Sequence, residues 1–435
     1  MTGMSAGTPP TAGVQTAQAS GPARSGWVRA LGRAALRVAV HLVAWLPFVA
    51  GAVEGIRLHW RPISDGAAIA VRSWDVLTPH GPLVGQATRL ANGVYDPGPL
   101  QYWLEALPVH WDPRYGVLWG GALWCAIAAS LAIEAARSAA GWFGGLAAAG
   151  AILGLVVWQP QIALQPFWNP WFGAMFFLAA LAAAWAVLCG HRRWWPMLVI
   201  AGSVAAQAHL VYALASAALV VLALLVGLAD AVRAKAGYWW AALGVLACAG
   251  CWSAPIIQEI HGHPGNLTLL VDNQGTGQLT GLTFGYKTVA AALQVPPLWW
   301  SPQHALSWLG AASMITHRSA GFAVAAMALT AVSLLAAVWP VRSRPLAALA
   351  ALSLLDSAAA VDTYANIPVK NTSLRTLGYL DALTYPVGVL CWFTVATATL
   401  LTAHWLVRKL RSRPGVGRAG SRKLSQGGGT MPPWA

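Results

Sequence analysis

Three charged side chains lie close together in the segment from Ser64 to Leu77. At 100° per residue this segment predicts a helix with Asp65, Arg72 and Asp75 on one side and apolar residues on the other, a pattern that Ile69 and Val76 interrupt because they fall off the apolar side. An ionised carboxylate can accept a proton from a hydroxyl group. Asp65 is therefore a candidate catalytic base, and Asp75 could orient it or hold a metal ion. The structural alternatives are that Asp65 only supports the helix start behind Ser64 as the N-cap, and that Arg72 forms a salt bridge with either aspartate.

Polar residues further along the chain are candidates for substrate binding. Asp96, which precedes Pro97, is either a turn-forming residue or a substrate contact. Gln207 and His209 fall near the outer end of an apolar run, where they could line a cavity or make helix-to-helix hydrogen bonds. A phosphate would need basic partners from loops. The candidates, each of which could instead face solvent or lipid headgroups, are Arg89, Lys287, Arg318, Lys370 and Arg375.

The composition indicates that a membrane surrounds the elements that position these residues. The chain has 435 residues, of which 57% are hydrophobic and 9% are charged, whereas a soluble domain has about 25% charged residues. This excludes a soluble enzyme and a disordered protein, and it excludes a nucleic-acid-binding domain despite the net charge of +14. We predict an all-α, polytopic membrane protein.

Apolar runs predict about ten transmembrane helices. The run from Trp194 to Leu228 is too long for one span, so we predict a break between His209 and Tyr212. The first run could alternatively be a signal peptide, because Ala50–Ala52 resembles a cleavage site. The predicted spans centre near Ala44, Cys125, Gly150, Ala180, Ser203, Val221, Leu246, Leu329, Ser353 and Phe393.

The distribution of charge predicts the orientation. With the N-terminus inside, 18 of the 27 basic residues fall in inside segments, whereas only Glu134 and Asp230 among the 13 acidic residues do. We expect a disordered cytoplasmic segment 1–30, a transmembrane domain 31–408 and a basic, disordered cytoplasmic tail 409–435. The basic residues would contact anionic membrane lipids. The main outer loops would be 54–115, 258–318 and 362–381, which places the chemistry on the extracytoplasmic face.

Within the first outer loop, Pro99 predicts the start of a second short helix that runs to about Leu107. This order of elements resembles the GT-C superfamily: one span, then an acidic residue that opens a helix at the membrane surface, then a second such helix. These proteins are polyprenyl-phosphate-sugar-dependent glycosyltransferases, among them protein O-mannosyltransferases, aminoarabinose transferases and arabinofuranosyltransferases. The chain is also similar to uncharacterised actinobacterial members from about Ala34 to Leu270, and beyond that by topology alone. The matching segments are SDGAAIAVRSWDVLTPHGPLVG from Ser64, YDPGPLQYWLEALP from Tyr95, FWNPWF from Phe167, QAHLVY from Gln207 and WSAPIIQEIHGHPGNL from Trp252.

The resemblance implies transfer of a sugar from a polyprenyl-phosphate donor to a cell-envelope glycan, lipid or protein, with inversion. It implies that Asp65 is the base, that Lys370 and Arg375 help hold the donor phosphate, and that a divalent cation such as Mg or Mn could assist. The chain departs from the O-mannosyltransferases because Gly66, not Glu, follows Asp65. Two alternatives stay open: a scaffold that binds lipid-linked sugars without turnover, and a transporter or flippase of such lipids.

Overall fold

The structure is a computed structural model that describes residues 23–88, 91–274, 277–293, 343–369 and 381–412. Helices make up most of these residues, and they contain two isolated β-bridges but no strand. The prediction of an all-α chain is confirmed. The α-helices are α1 (Ala23–Arg57), α2 (Asp65–Asp75), α3 (Leu100–Trp111), α4 (Gly116–Trp158), α5 (Gln161–Leu164), α6 (Asn169–Leu188), α7 (Trp195–Ala208), α8 (Ala213–Ala234), α9 (Tyr238–His261), α10 (Asn266–Asn273), α11 (Gly281–Leu293), α12 (Arg344–Ala365) and α13 (Thr384–Ser412).

Seven helices of the described ranges are long and apolar enough to cross a membrane: α1, α4, α6, α8, α9, α12 and α13. The chain is therefore a multi-pass membrane protein. Helix α4 has 43 residues and bends at Ala140 and Gly141, where Gly141 has a φ of 64°. This left-handed conformation suits glycine, and the kink divides α4 into the two spans predicted around Cys125 and Gly150. The predicted span near Leu329 lies outside the described residues.

The predicted break between His209 and Tyr212 is confirmed. Helix α7 ends at Ala208 after only 14 residues, and a 3₁₀ turn from Leu210 to Tyr212 leads into α8. Tyr212 anchors this turn, because its hydroxyl donates to the Pro170 carbonyl at 2.8 Å and its ring packs on Gly173. The break therefore lies against the start of α6.

Helix α6 occupies the centre of the bundle and is buried along almost its whole length. It is apolar on every side, as expected for a helix that other helices surround. Helix α1 packs against α4 through buried Ala44 and Phe48. A Cβ atom on Gly51 would lie 2.2 Å from the carbonyl oxygen of Ala163, so α1 also fits closely against α5. These contacts favour the interpretation of α1 as a retained span over that of a signal peptide.

The two acidic residues predicted for the inside segments form ion pairs between helices. Glu134 of α4 binds Arg37 of α1 at 2.7 Å and also pairs with Arg137. Asp230 of α8 pairs with Arg344 of α12. These ion pairs join α1 to α4 and α8 to α12 at the end of the bundle opposite to α2 and α3.

The two short helices predicted for the first outer loop are confirmed, although their details differ. Ser64 does not cap α2 with its side chain, because its backbone has a φ of 50°. Ile69, predicted to lie off the apolar side, is instead the buried anchor of α2, and Trp74 is 44% exposed. The reason is that α2 packs on α3 and on Phe167, which sequence periodicity does not reveal. Helix α3 starts after Pro99 and ends at Trp111, four residues later than predicted.

Candidate functional site

A cavity of about 600 Å³ opens beside the segment that contains α2 and α3. Its wall combines residues from the start of α2, the loop between α2 and α3, the start of α6, the break between α7 and α8, and the end of α12. Asp65, Asp96 and His209 all line it, so three candidate site residues predicted from separate segments share one space. The remaining lining residues include Gln86, Ala87, Thr88, Trp168, Asn169, Pro170, Leu210, Val211, Ala213, Leu214, Gln274, Asp362, Thr363, Asn366, Ile367 and Pro368.

Asp65 is half-buried and is held by two hydrogen-bond donors. The indole N–H of Trp168 donates to its Oδ2 at 2.9 Å, and the Gln86 amide lies at the outer limit of hydrogen bonding, 3.5 Å from Oδ1. The Tyr102 hydroxyl donates to Gln86 Oε1 at 3.0 Å, which fixes the orientation of that amide. Two neutral donors orient the carboxylate while it stays open to the cavity, which suits a proton acceptor.

The Trp168 indole is positioned by the buried segment that precedes it. Gln101 of α3 donates to the Phe167 carbonyl at 2.5 Å and to Glu105 at 3.2 Å. Gly121 of α4 allows this segment to approach closely, since a Cβ atom there would lie 2.7 Å from the Phe167 nitrogen. Burial raises the pKa of the Glu105 carboxyl well above its usual value. The indole donor of Asp65 is thus set by packing between α3 and α4.

Asp96 is buried at the base of the cavity. Its Oδ1 accepts the Leu210 N–H at 2.9 Å, and its Oδ2 lies 3.4 Å from the Asn169 amide nitrogen. Burial raises the pKa of the Asp96 carboxyl well above its usual value, while these two hydrogen bonds lower it by smaller amounts. Asp96 therefore holds the loop between α2 and α3 on the break between α7 and α8.

His209 is a neutral hydrogen-bonding group of the cavity. Its Nδ1 accepts the Val211 N–H at 3.3 Å, which leaves the ring proton on Nε2. Burial lowers the pKa of His209 to about 4, and the nearby Asp65 charge opposes this only in part. His209 therefore bears no positive charge at neutral pH and can meet a substrate through hydrogen bonds alone.

Four of the predicted site residues that the structure describes do not line the cavity: Arg72, Asp75, Gln207 and Lys287 of α11. Asp75 lies ten residues after Asp65 on the same helix, and a rise of 1.5 Å per residue separates them by about 15 Å along the axis. Arg72 is exposed and forms no ion pair with either aspartate. Gln207 donates to the Cys251 carbonyl of α9 at 2.8 Å and accepts from the Leu100 N–H at 3.4 Å. Of the two roles predicted for Gln207, lining a cavity or forming hydrogen bonds between helices, these contacts match the second.

Four of the five candidate phosphate ligands, Arg89, Arg318, Lys370 and Arg375, lie outside the described residues. In sequence, Arg89 directly follows Thr88 and Lys370 lies two residues after Pro368, and Thr88 and Pro368 both line the cavity. Among the described residues no arginine or lysine lines the cavity. The described part also contains no group of three His, Cys, Asp or Glu side chains that could hold a metal ion, so the expected divalent cation has no assigned ligand set.

Several polar residues of the cavity were not predicted as site residues. Trp168 and Asn169 belong to the FWNPWF segment, which resembles the GT-C superfamily but suggested no function for either residue. Gln86 carried no signal, because glutamine in a loop is common. Asp362 and Thr363 lie at the end of an apolar span, where only their polarity marks them. The wall also includes Leu214, which is 44% exposed on the first turn of α8, so the cavity borders the lipid-facing surface of the bundle.

Comparisons with known proteins give one structural neighbour. No protein-family model matches the chain, and no curated protein matches it. The crystal structure of ArnT from Cupriavidus metallidurans bound to undecaprenyl phosphate is similar to the chain at 17% sequence identity, with a TM-score of 0.47. The similarity covers 92% of this chain and 67% of that chain. This likeness is too remote to assign a function.

Proposed function

We propose that the chain is a GT-C-type membrane glycosyltransferase that moves a sugar from a polyprenyl phosphate to a hydroxyl group of a cell-envelope acceptor. The observation that carries this proposal is the position of Asp65: a half-buried carboxylate, oriented by Trp168, that faces a cavity of about 600 Å³ lined by polar and apolar residues beside the ends of membrane helices. A cavity of this size accommodates a sugar and its phosphate.

The proposed reaction needs one proton acceptor. Asp65 removes the proton of the acceptor hydroxyl as its oxygen attacks the anomeric carbon, and the bond from that carbon to the phosphate oxygen breaks. The phosphate leaves with the bond electrons and needs no general acid. Attack from the side opposite to the phosphate inverts the configuration at the anomeric carbon. Asp96 and the uncharged His209 line the site beside Asp65.

The leaving phosphate needs positive charge, which we assign to Arg89, Lys370 and Arg375. In support, Thr88, which lines the cavity, directly precedes Arg89, and Pro368, which also lines it, lies two residues before Lys370 and seven before Arg375. A divalent cation could share this task. Access for the donor would be lateral, because the polyprenyl tail stays in the bilayer and exposed Leu214 borders the cavity. We assign the site to the extracytoplasmic face, with both termini cytoplasmic, on the basis of the charge asymmetry.

Transfer assays with purified protein test this proposal. The donors would be polyprenyl phosphates that carry a pentose or a hexose, each with and without Mg²⁺ or Mn²⁺. We expect release of free polyprenyl phosphate by the wild type and a large loss of release in Asp65→Asn. No release with any donor and acceptor would contradict the proposal.

A second candidate function is transport of lipid-linked sugars, and one observation favours it. Asp356 of α12 is fully buried within a span, and neither of its carboxylate oxygens has a partner among the described residues. Polar groups at this depth are common on transport pathways. Reconstituted vesicles separate the two functions, because they allow movement of a labelled donor between leaflets to be measured. Transport would be favoured if Asp356→Asn abolished this movement and Asp65→Asn did not.

A further inference from the structure

The wall of the cavity contributed by α12 contains three polar side chains in its last turn and just beyond. Asp362, Thr363 and Asn366 all line the cavity. Thr280 holds this wall in place, since its hydroxyl donates to the Tyr364 carbonyl at 2.6 Å and its N–H donates to the Ile367 carbonyl at 3.0 Å. The wall is therefore a fixed surface of the cavity.

This wall has hydrogen-bonding capacity that the described protein does not use. The Thr363 hydroxyl oxygen is buried and has no partner among the described residues. The Asp362 carboxylate is exposed and makes no ion pair with a described residue, although its backbone carbonyl accepts the Asn366 amide at 2.8 Å. Asp65 and Asp96, in contrast, each have a protein donor at 2.9 Å. Buried polar atoms normally have a partner, so the buried Thr363 hydroxyl indicates a polar ligand, and the exposed Asp362 carboxylate beside it can contact the same ligand.

Helix stability does not explain Asp362. A negative charge in the last turn of a helix opposes the helix dipole and is unfavourable there, and Asp362 lies three residues before the end of α12. Its position is therefore better explained by contact with a ligand in the cavity than by a contribution to helix stability.

The chemistry of the wall selects the class of ligand. A carboxylate accepts hydrogen bonds and a threonine hydroxyl both donates and accepts, which suits the neighbouring hydroxyl groups of a neutral sugar ring. The Asp362 charge would repel a phosphate. A metal ion would lack a third ligating side chain among the described residues.

We propose that Asp362 and Thr363, with Asn366 beside them, form a subsite that binds hydroxyl groups of a sugar ring on the cavity wall contributed by α12. This inference rests on the proposed function and extends it, because it assigns the sugar to a wall built from a different helix than the one that carries Asp65. The sugar belongs either to the donor or to the acceptor, and binding measurements separate the two.

The test uses the full chain in nanodiscs and two sets of probes. The first set compares polyprenyl phosphate mannose and polyprenyl phosphate arabinose with bare polyprenyl phosphate. The second set contains the free methyl glycosides of mannose and arabinose. The variants are Asp362→Asn and Thr363→Val, which keep the size of each side chain. The control is Asp272→Asn, which removes an exposed carboxylate of α10 that does not line the cavity.

We expect Asp362→Asn to weaken binding of a sugar-bearing probe by about tenfold to a hundredfold, and Thr363→Val by about twofold to tenfold, as hydrogen bonds to a charged and a neutral group predict. Both variants should bind bare polyprenyl phosphate as the wild type does, and the control variant should bind every probe as the wild type does. A loss confined to the donors assigns the subsite to the donor sugar, and a loss confined to the methyl glycosides assigns it to the acceptor.

Three results would overturn the subsite: unchanged binding of all sugar-bearing probes in both variants, an equal loss for bare polyprenyl phosphate, or no saturable binding of any sugar-bearing probe by the wild type. The outcome is separate from that of the proposed function. If sugar binding depends on Asp362 but no transfer occurs, the proposed transferase function is wrong and the subsite stands. If transfer occurs and both variants leave it and sugar binding unaffected, the subsite is wrong and the transferase function stands.

Discussion

Replacement of Asp65 by asparagine isolates proton acceptance from the other contributions of this side chain. The asparagine oxygen can still accept the Trp168 indole N–H, which lies 2.9 Å from Asp65 Oδ2. Its amide nitrogen then faces Gln86, whose present contact is already long at 3.5 Å. Only this weak contact is lost, so we expect the variant to lose about 1 kcal/mol of stability or less.

The expected effect on the rate is much larger. A positioned general base contributes about 10²–10⁴-fold to the rate, which corresponds to about 3–5 kcal/mol of activation free energy at 1.36 kcal/mol per tenfold change. The assay measures kcat for sugar transfer by purified Asp65→Asn and wild type at saturating donor, together with donor affinity by direct titration. We expect kcat to fall by this factor while donor affinity changes little.

The comparison separates a catalytic carboxylate from a structural one. If Asp65 only supported the start of α2, the variant would unfold at a lower temperature but would turn over normally per folded molecule. Wild-type kcat in a folded Asp65→Asn protein would therefore refute the assignment of the base.

Four further outcomes are expected. Asp75→Asn should change kcat little, because Asp75 does not line the cavity; a loss as large as that of Asp65→Asn would contradict this. Trp168→Phe should lower kcat, because it removes the indole N–H that orients Asp65 at 2.9 Å, and an unchanged kcat would contradict the role of the indole. Burial raises the folded-state pKa of Asp96 above its usual 3.8, so the folded protein binds a proton that the unfolded chain releases. The free energy of unfolding should therefore fall as pH rises above about 4, by about 1.4 kcal/mol per pH unit. Thermal unfolding of Asp96→Asn should lack this fall. A single cysteine placed after Arg408 should react only with reagents that reach the cytoplasm, and labelling from outside intact cells would reverse the predicted topology.

The helices could be predicted from the sequence because they depend on local patterns. Apolar runs gave the spans, and the length of the run from Trp194 to Leu228 required the observed break at His209. Proline at position 99 gave the start of α3. Each of these signals lies within a few residues of the feature it predicts.

The site could be predicted only in part because its contacts join distant segments. Trp168 donates to Asp65 across 103 positions of sequence, and no periodicity links the two residues. Asp75 was predicted beside Asp65 because the two share a helix face, but the rise along the helix separates them. Ile69 was assigned to the wrong side of α2, because packing against Phe167 sets the rotation of that helix. Asp362 reaches the cavity only through the packing of α12 in the bundle.

The central claim is that the cavity beside Asp65 transfers a sugar from a polyprenyl phosphate with inversion. The most direct measurement is NMR of the product formed by the wild-type protein from a polyprenyl phosphate sugar of known anomeric configuration, with quantification of the polyprenyl phosphate released. We expect one glycoside of opposite configuration for each polyprenyl phosphate released. A product that retains the donor configuration, or a donor that crosses the membrane or stays bound without release of polyprenyl phosphate, would contradict it.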